Sequence, residues 1–204
     1  IYNEFKGEHN ELIKSTLDTI KKRPFSMQIA TDSDDRKKLA LEAAKQLKEQ
    51  SGPRVAVFDL DGFDTHAAQG GVDGAHADEL EEINKIVTIL YENLGQAFDN
   101  TLILTLTEFG RTIKQNGGYG TEHGYGSAIL MAGGLLKKSQ VHTDWPGLKK
   151  KELFEGRDLN STIDSRAVYN SAMSVCFNQD PEFLRKEVFW GDQLPDLSQE
   201  LFKI

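Results

Sequence analysis

Hydrophobic residues recur along the chain with two periods. Leu12, Ile13, Leu17 and Ile20 share one face of a helix predicted over 9–22, which Arg23-Pro24 ends. Thr31, Asp32, Ser33 and Asp34 offer cap chemistry for a second helix over 33–49, carried by Leu39, Ala43 and Leu47 and stopped by Ser51-Gly52-Pro53. The strongest helical pattern runs over 78–98, with Leu80, Ile83, Val87, Leu90, Leu94 and Ala97 three or four apart. Asp164 can cap a further helix bearing Val168, Ala172 and Val175. Between these helices the pattern changes to continuous apolar runs: Arg54 to Leu60, Thr101 to Thr107, and 127–132, closed by Gly133-Gly134. Runs of this kind predict buried strands. The last twenty residues have weak periodicity and predict a peripheral tail.

Strand, helix, strand, loop, strand, preceded by helices, predicts an α/β domain with a mostly parallel sheet and helices on both faces. Functional loops should then lie beyond the carboxyl ends of the strands. A single domain over 1–204 is expected, with a helical lead-in over 1–53, a core over 54–177 and a tail over 178–204. The chain begins at Ile1, which fits a piece of a longer protein or a processed one.

Composition narrows the function. The chain is 38% hydrophobic and 27% charged, with net charge −8, and its pI is near 5.2. That balance argues against nucleic acid as the main partner. No apolar run approaches the roughly 20 residues of a membrane-spanning helix. The single Cys176 excludes an internal disulfide and falls in an apolar helical pattern, so a buried, inert thiol is expected. Trp145 and Pro146 are expected to plug a loop onto the core.

The chemistry concentrates between Asp64 and His123. The loop after the first predicted strand carries Asp59, Asp61, Asp64 and His66. The next carries Glu108 and Arg111, and the Gly-rich loop after it delivers Glu122 and His123. Carboxylate plus neutral imidazole is a ligand set for Zn, Mn or Fe. Asp64 and His66 stand two apart, so an extended backbone points both to one side. The same residues have plainer readings: a turn with a solvated histidine, or a Glu108–Arg111 pair at a strand end. His9 and His142 read as surface residues, and His76 is ambiguous.

Two family patterns compete for this segment. Val57-Phe58-Asp59-Leu60-Asp61-Gly62 resembles the first motif of haloacid-dehalogenase phosphatases, which would make Asp59 the nucleophile and Asp61 the general acid/base, with Mg²⁺ between them. Gly191 to Asp196 imitates that family's late motif, but it lies in a polar stretch containing Pro195. The wider pattern resembles another family. Gly62-Phe63-Asp64-Thr65-His66 with Gln69, Glu108-Phe109-Gly110-Arg111-Thr112, Asn116-Gly117 with Gly120-Thr121-Glu122-His123-Gly124, and Asp164-x-Arg166-x-Val168-Tyr169 follow in order. They resemble four blocks of the bacterial group called domain of unknown function 1501, placed with the alkaline phosphatases and sulfatases.

That resemblance spans about Val55 to Phe177 and implies an alkaline-phosphatase-like fold, incomplete at its N-terminal side. It implies a metal-dependent hydrolase acting on a small anionic phosphate or sulfate ester. Asp64, His66 and His123 would bind a divalent metal, Zn or Mn ahead of Mg or Ca. Glu108 would serve a second metal, and Arg111 would contact the anionic substrate. Phe109 stands where an imidazole is usual and Glu122 where Asp is usual. A periplasmic or exported location is implied as well. The alternative from another class is a non-catalytic exported module that keeps the fold.

Overall fold

A computed structural model describes residues 33–204. The helix predicted over 9–22 and the caps at Thr31 and Asp32 lie outside the described residues. Helix α1 spans Ser33–Lys48, with Asp34 and Asp35 in its first turn and Lys45 and Lys48 in its last. These charges complement the partial charges at the two helix ends. Helix α2 spans Ala75–Leu94 and runs into a 3-10 turn at Gly95–Asn100. Ala40 and Ala44 of α1 pack on Ile86, Leu90 and Leu94 of α2. The two alanines let the helix axes approach closely. The buried stripe is rotated from the one expected: Glu82, Ile86, Leu90 and Leu94 point inward, while Leu80 is exposed.

The expected parallel sheet is not present among the described residues. They contain two antiparallel ladders of two residues per strand. Strand β1 (Ile103–Leu104) pairs with β4 (Met131–Ala132), Ile103 opposite Ala132. Strand β2 (Gly110–Arg111) pairs with β3 (His123–Gly124), Arg111 opposite His123. The run from Arg54 to Leu60 forms no strand, and Val57 is 89% exposed. Phe58 and Leu60 alone of its large residues lean on the α1–α2 core. A continuous apolar run identifies an extended segment but carries no information about its partners. The fold is mainly helical, and the α/β sandwich expected from the runs is corrected accordingly.

Helix α3 (Ser165–Phe177) begins as expected, with the Asp164 side chain accepting from the Arg166 backbone N–H at 2.9 Å. Its Val168 and Ala172 join Leu201 and Phe202 in a second core. Phe202, just after the short helix α5 (Ser198–Leu201), is 1% exposed. The end of the chain therefore supplies core, not a peripheral tail. Helix α4 (Pro181–Glu187) packs through Leu184. Strand β1 separates the two cores: Ile103 faces the first, Leu102 and Leu104 the second. This is the side-to-side alternation of an extended chain. Cys176 is exposed rather than buried. No helix among the described residues is long and apolar enough to cross a membrane.

Candidate metal centre

Two loops build the site, and backbone hydrogen bonds close them on each other. Ala67 and Tyr119 form a bridge. Ala68 N–H donates to Gly118 O at 2.9 Å, and Gln69 N–H to Tyr119 O at 3.0 Å. Thr121 N–H donates to Thr65 O at 3.1 Å. This approach explains Gly120, where a Cβ would run into the Thr65–His66 backbone. Asn116 lies at the centre of the closure. Its side-chain oxygen accepts from the N–H groups of Gly118 (2.9 Å) and Gly120 (3.0 Å). Its amide donates to His66 O at 2.8 Å and to Glu122 Oε1 at 2.5 Å.

Asp64, His66 and His123 converge as a result. Asp64 Oδ1 lies 2.9 Å from His66 Nε2 and 3.1 Å from His123 Nε2. The two Nε2 atoms are 3.2 Å apart. Ligands placed tetrahedrally around Zn at its usual bond lengths stand about 3.3 Å from each other. The three side chains thus form a group that could hold a metal ion, and all three are solvent-exposed.

The surrounding contacts determine which atoms can bind. His66 Nδ1 lies 3.0 Å from Glu122 Oε2. An Nδ1–H donated to that carboxylate leaves the Nε2 lone pair facing inward. Asp64 Oδ1 and His66 Nε2 are then two acceptors in close contact, an arrangement that a cation between them relieves. The ring of Phe109 stacks on His123, with centroids 3.8 Å apart and planes 14° from parallel, and so fixes that imidazole's plane. The donor set of two imidazoles and one carboxylate fits a transition metal.

Arg111 ties the hairpin to this group. Its guanidinium donates to Asp64 Oδ1, to the Thr121 carbonyl and, through Nε, to Thr121 Oγ1 at 2.9 Å. Thr121 and Thr65 in turn donate to Gln69 Oε1 at 2.7 and 2.9 Å. Burial opposes ionisation of Asp64, but hydrogen bonds from Arg111 and His123 and the nearby imidazoles outweigh it, so its carboxyl lies below the ordinary range. The Asn116 hydrogen bond, with help from His66 and Arg111, holds the Glu122 carboxyl low as well.

The other expected residues are placed as follows. Glu108 is exposed and belongs to no convergent group. Asp61 pairs with Arg36 and Asp192 with Arg166, while Asp59 is exposed. The described residues thus do not gather Asp59, Asp61 and Asp192 around one point, as the haloacid-dehalogenase pattern requires. His142 pairs with Glu200 at 3.2 Å. His76 sits edge-on to Phe63, and its buried Nδ1 has no partner. The roles of Glu122 and Asn116 as orienting residues, and the ring contact of Phe109, were not read from the sequence. Their place inside the motif blocks was the available signal.

A family model described as protein of unknown function (DUF1501) matches residues 26–186. The chain belongs to that family. Comparison with curated proteins and with solved structures finds no match.

Proposed function

We propose that the chain acts as a metal-dependent hydrolase of phosphate or sulfate esters, with the ion held by Asp64, His66 and His123. The observation that carries this reading is the convergence of one carboxylate oxygen and two Nε2 atoms within 3.2 Å of one another. Two imidazoles favour Zn or Mn over Mg or Ca, which take mainly oxygen ligands. Such an ion supplies Lewis-acid polarisation of an ester oxygen and a water of lowered pKa.

The chain's own residues prepare the site for that chemistry. Glu122 orients His66, Phe109 orients His123, and Arg111 keeps Asp64 ionised. The Arg111 guanidinium also places fixed positive charge beside the three ligands, which favours an anionic ester there. Glu108, exposed and outside the convergent group, is the acid that the motif blocks leave for a second ion. The placement with alkaline phosphatases and sulfatases rests on the four motif blocks, and so does a periplasmic or exported location.

The test is metal analysis of the purified protein, followed by assay on aryl phosphate and aryl sulfate with added Zn or Mn. Turnover that His66→Ala and His123→Ala both abolish supports the hydrolase. Bound metal without turnover on either ester favours the second reading, a non-catalytic module that keeps one ion. The contact of Phe109 with His123, at the position where a further imidazole is usual, speaks for that second reading.

A further inference from the structure

The stretch from Lys137 to Lys151 takes no part in the site and departs from the rest of the molecule. It carries Lys137, Lys138, Lys149, Lys150 and Lys151 against one acid, Asp144, in a chain of net charge −8. None of the five lysines forms an ion pair among the described residues, although acids outnumber Lys and Arg 32 to 24 in the chain. Between the two lysine runs, three apolar side chains stand in solvent: Val141 (86% exposed), Trp145 (59%) and Leu148 (52%). The expected plugging of Trp145 onto the core does not occur. The loop's base is nevertheless fastened. Lys137 N–H donates to Leu201 O at 2.9 Å, its ammonium to Gln199 O at 2.8 Å, and His142 meets Glu200. At the far end Glu152 accepts from the Lys149 N–H at 2.8 Å.

A long, largely irregular loop fastened at its base is more often functional than incidental. Unpaired lysines flanking exposed tryptophan and aliphatic tips have a specific physical complement. The ammonium groups gain from an anionic surface within a Debye length. The indole and aliphatic groups gain from entering the headgroup and acyl boundary, where tryptophan is preferred. We propose that residues 137–151 dock the protein on an anionic lipid bilayer, with Trp145 entering the interface. A soluble polyanion would satisfy the lysines but leave Val141, Trp145 and Leu148 in water.

The test is co-sedimentation with vesicles of phosphatidylglycerol and phosphatidylcholine, or of phosphatidylcholine alone. Binding is expected to the anionic vesicles and to weaken with salt. A variant with Lys149→Glu, Lys150→Glu and Lys151→Glu should bind at least about tenfold more weakly, with an unchanged circular dichroism spectrum. In a Trp190→Phe background, which removes the other exposed indole, Trp145 fluorescence should shift to the blue on binding, and Trp145→Ala should weaken binding several-fold. No binding to anionic vesicles at low salt overturns the proposal. So does binding that the charge reversals leave intact. Binding to heparin with equal strength, without a Trp145 shift on vesicles, overturns it in favour of a soluble polyanion.

Discussion

Two charged clusters flank the loop from Asp59 to Gln69, and they treat their carboxylates in opposite ways. Around Arg36, which is 9% exposed, each acid meets a cation: Nη1 holds Glu79 at 2.9 Å and Nη2 holds Asp61. Burial disfavours the Arg36 charge, but Glu79 and Asp61 outweigh it and the guanidinium pKa is raised. The cluster pins the loop between α1 and α2. Three residues along from Asp61, Asp64 meets Arg111 and also two imidazoles whose Nε2 atoms lie close to it and to each other. In the first cluster both carboxylates are neutralised by the two Nη groups, and only the buried Arg36 Nε is left without a partner. The second brings one carboxylate oxygen and two imidazole nitrogens within 3.2 Å of one another, a donor set that could hold a cation. Charge clustering alone therefore does not mark a site; convergence of metal-ligating atoms on one point does.

The largest expected effect falls on the second cluster. His123→Ala should weaken Zn binding by about a hundredfold or more, roughly 2.8 kcal/mol. Calorimetric titration and the metal-dependent rise in thermal midpoint read it. Wild-type affinity in this variant would return the cluster to a solvated turn. Next comes the first cluster, where Arg36→Ala leaves Glu79 largely buried without its cation. Exposed Asp61 contributes little, so a loss of about 2 kcal/mol is expected by urea unfolding. Metal affinity should change far less than stability; a matched loss of both would mean that the two clusters are one unit.

Glu122→Ala tests the orienting contact to His66. It should cost about tenfold in metal affinity, with the apoprotein's unfolding midpoint nearly unchanged. If the variant binds metal as wild type does, Glu122 has no part in preparing His66. The smallest effect belongs to a region apart from both. Asp164→Ala removes the cap of α3 and should cost about 1 kcal/mol. The Arg166 hydrogen bond, against partial burial, depresses the Asp164 pKa. Its stabilisation is therefore present above the ordinary carboxyl range and is lost as pH falls through the lower folded value. The difference between wild type and Asp164→Ala should shrink in acid; a constant difference from neutral to acid pH would exclude this linkage.

Legibility from sequence followed the range of the interactions. The extents of α1 and α3 were readable because periodicity is local, although α1 buries Arg36, Ala40 and Ala44, one position on from the expected face, and Asp164 acts as the cap that its position suggested. The phase of α2 was not, since Glu82 and Ile86 face inward through contacts with Ser33 and α1 that periodicity does not contain. The sheet was misread for a similar reason. Val55, Val57 and Leu106 are apolar yet exposed, and strand partners are set by long-range pairing. Asp64, His66 and His123 could be nominated from residue type and spacing. The supporting network of Asn116, Glu122 and Gln69 needed the two loops brought together.

Strand β1 has a consequence for how the chain finds its fold. Ile103 belongs to one core and its neighbours Leu102 and Leu104 to the other. A slip of one residue against β4 would exchange the two sets and deliver the wrong volumes to both cores at once. Correct register is thus checked twice, once by α1 and α2 and once by α3 with Phe202. The second check is available only after a long loop has closed, at an entropic cost that grows slowly with its length. The two-residue ladder of β1 and β4 is thus where the demands of both cores meet.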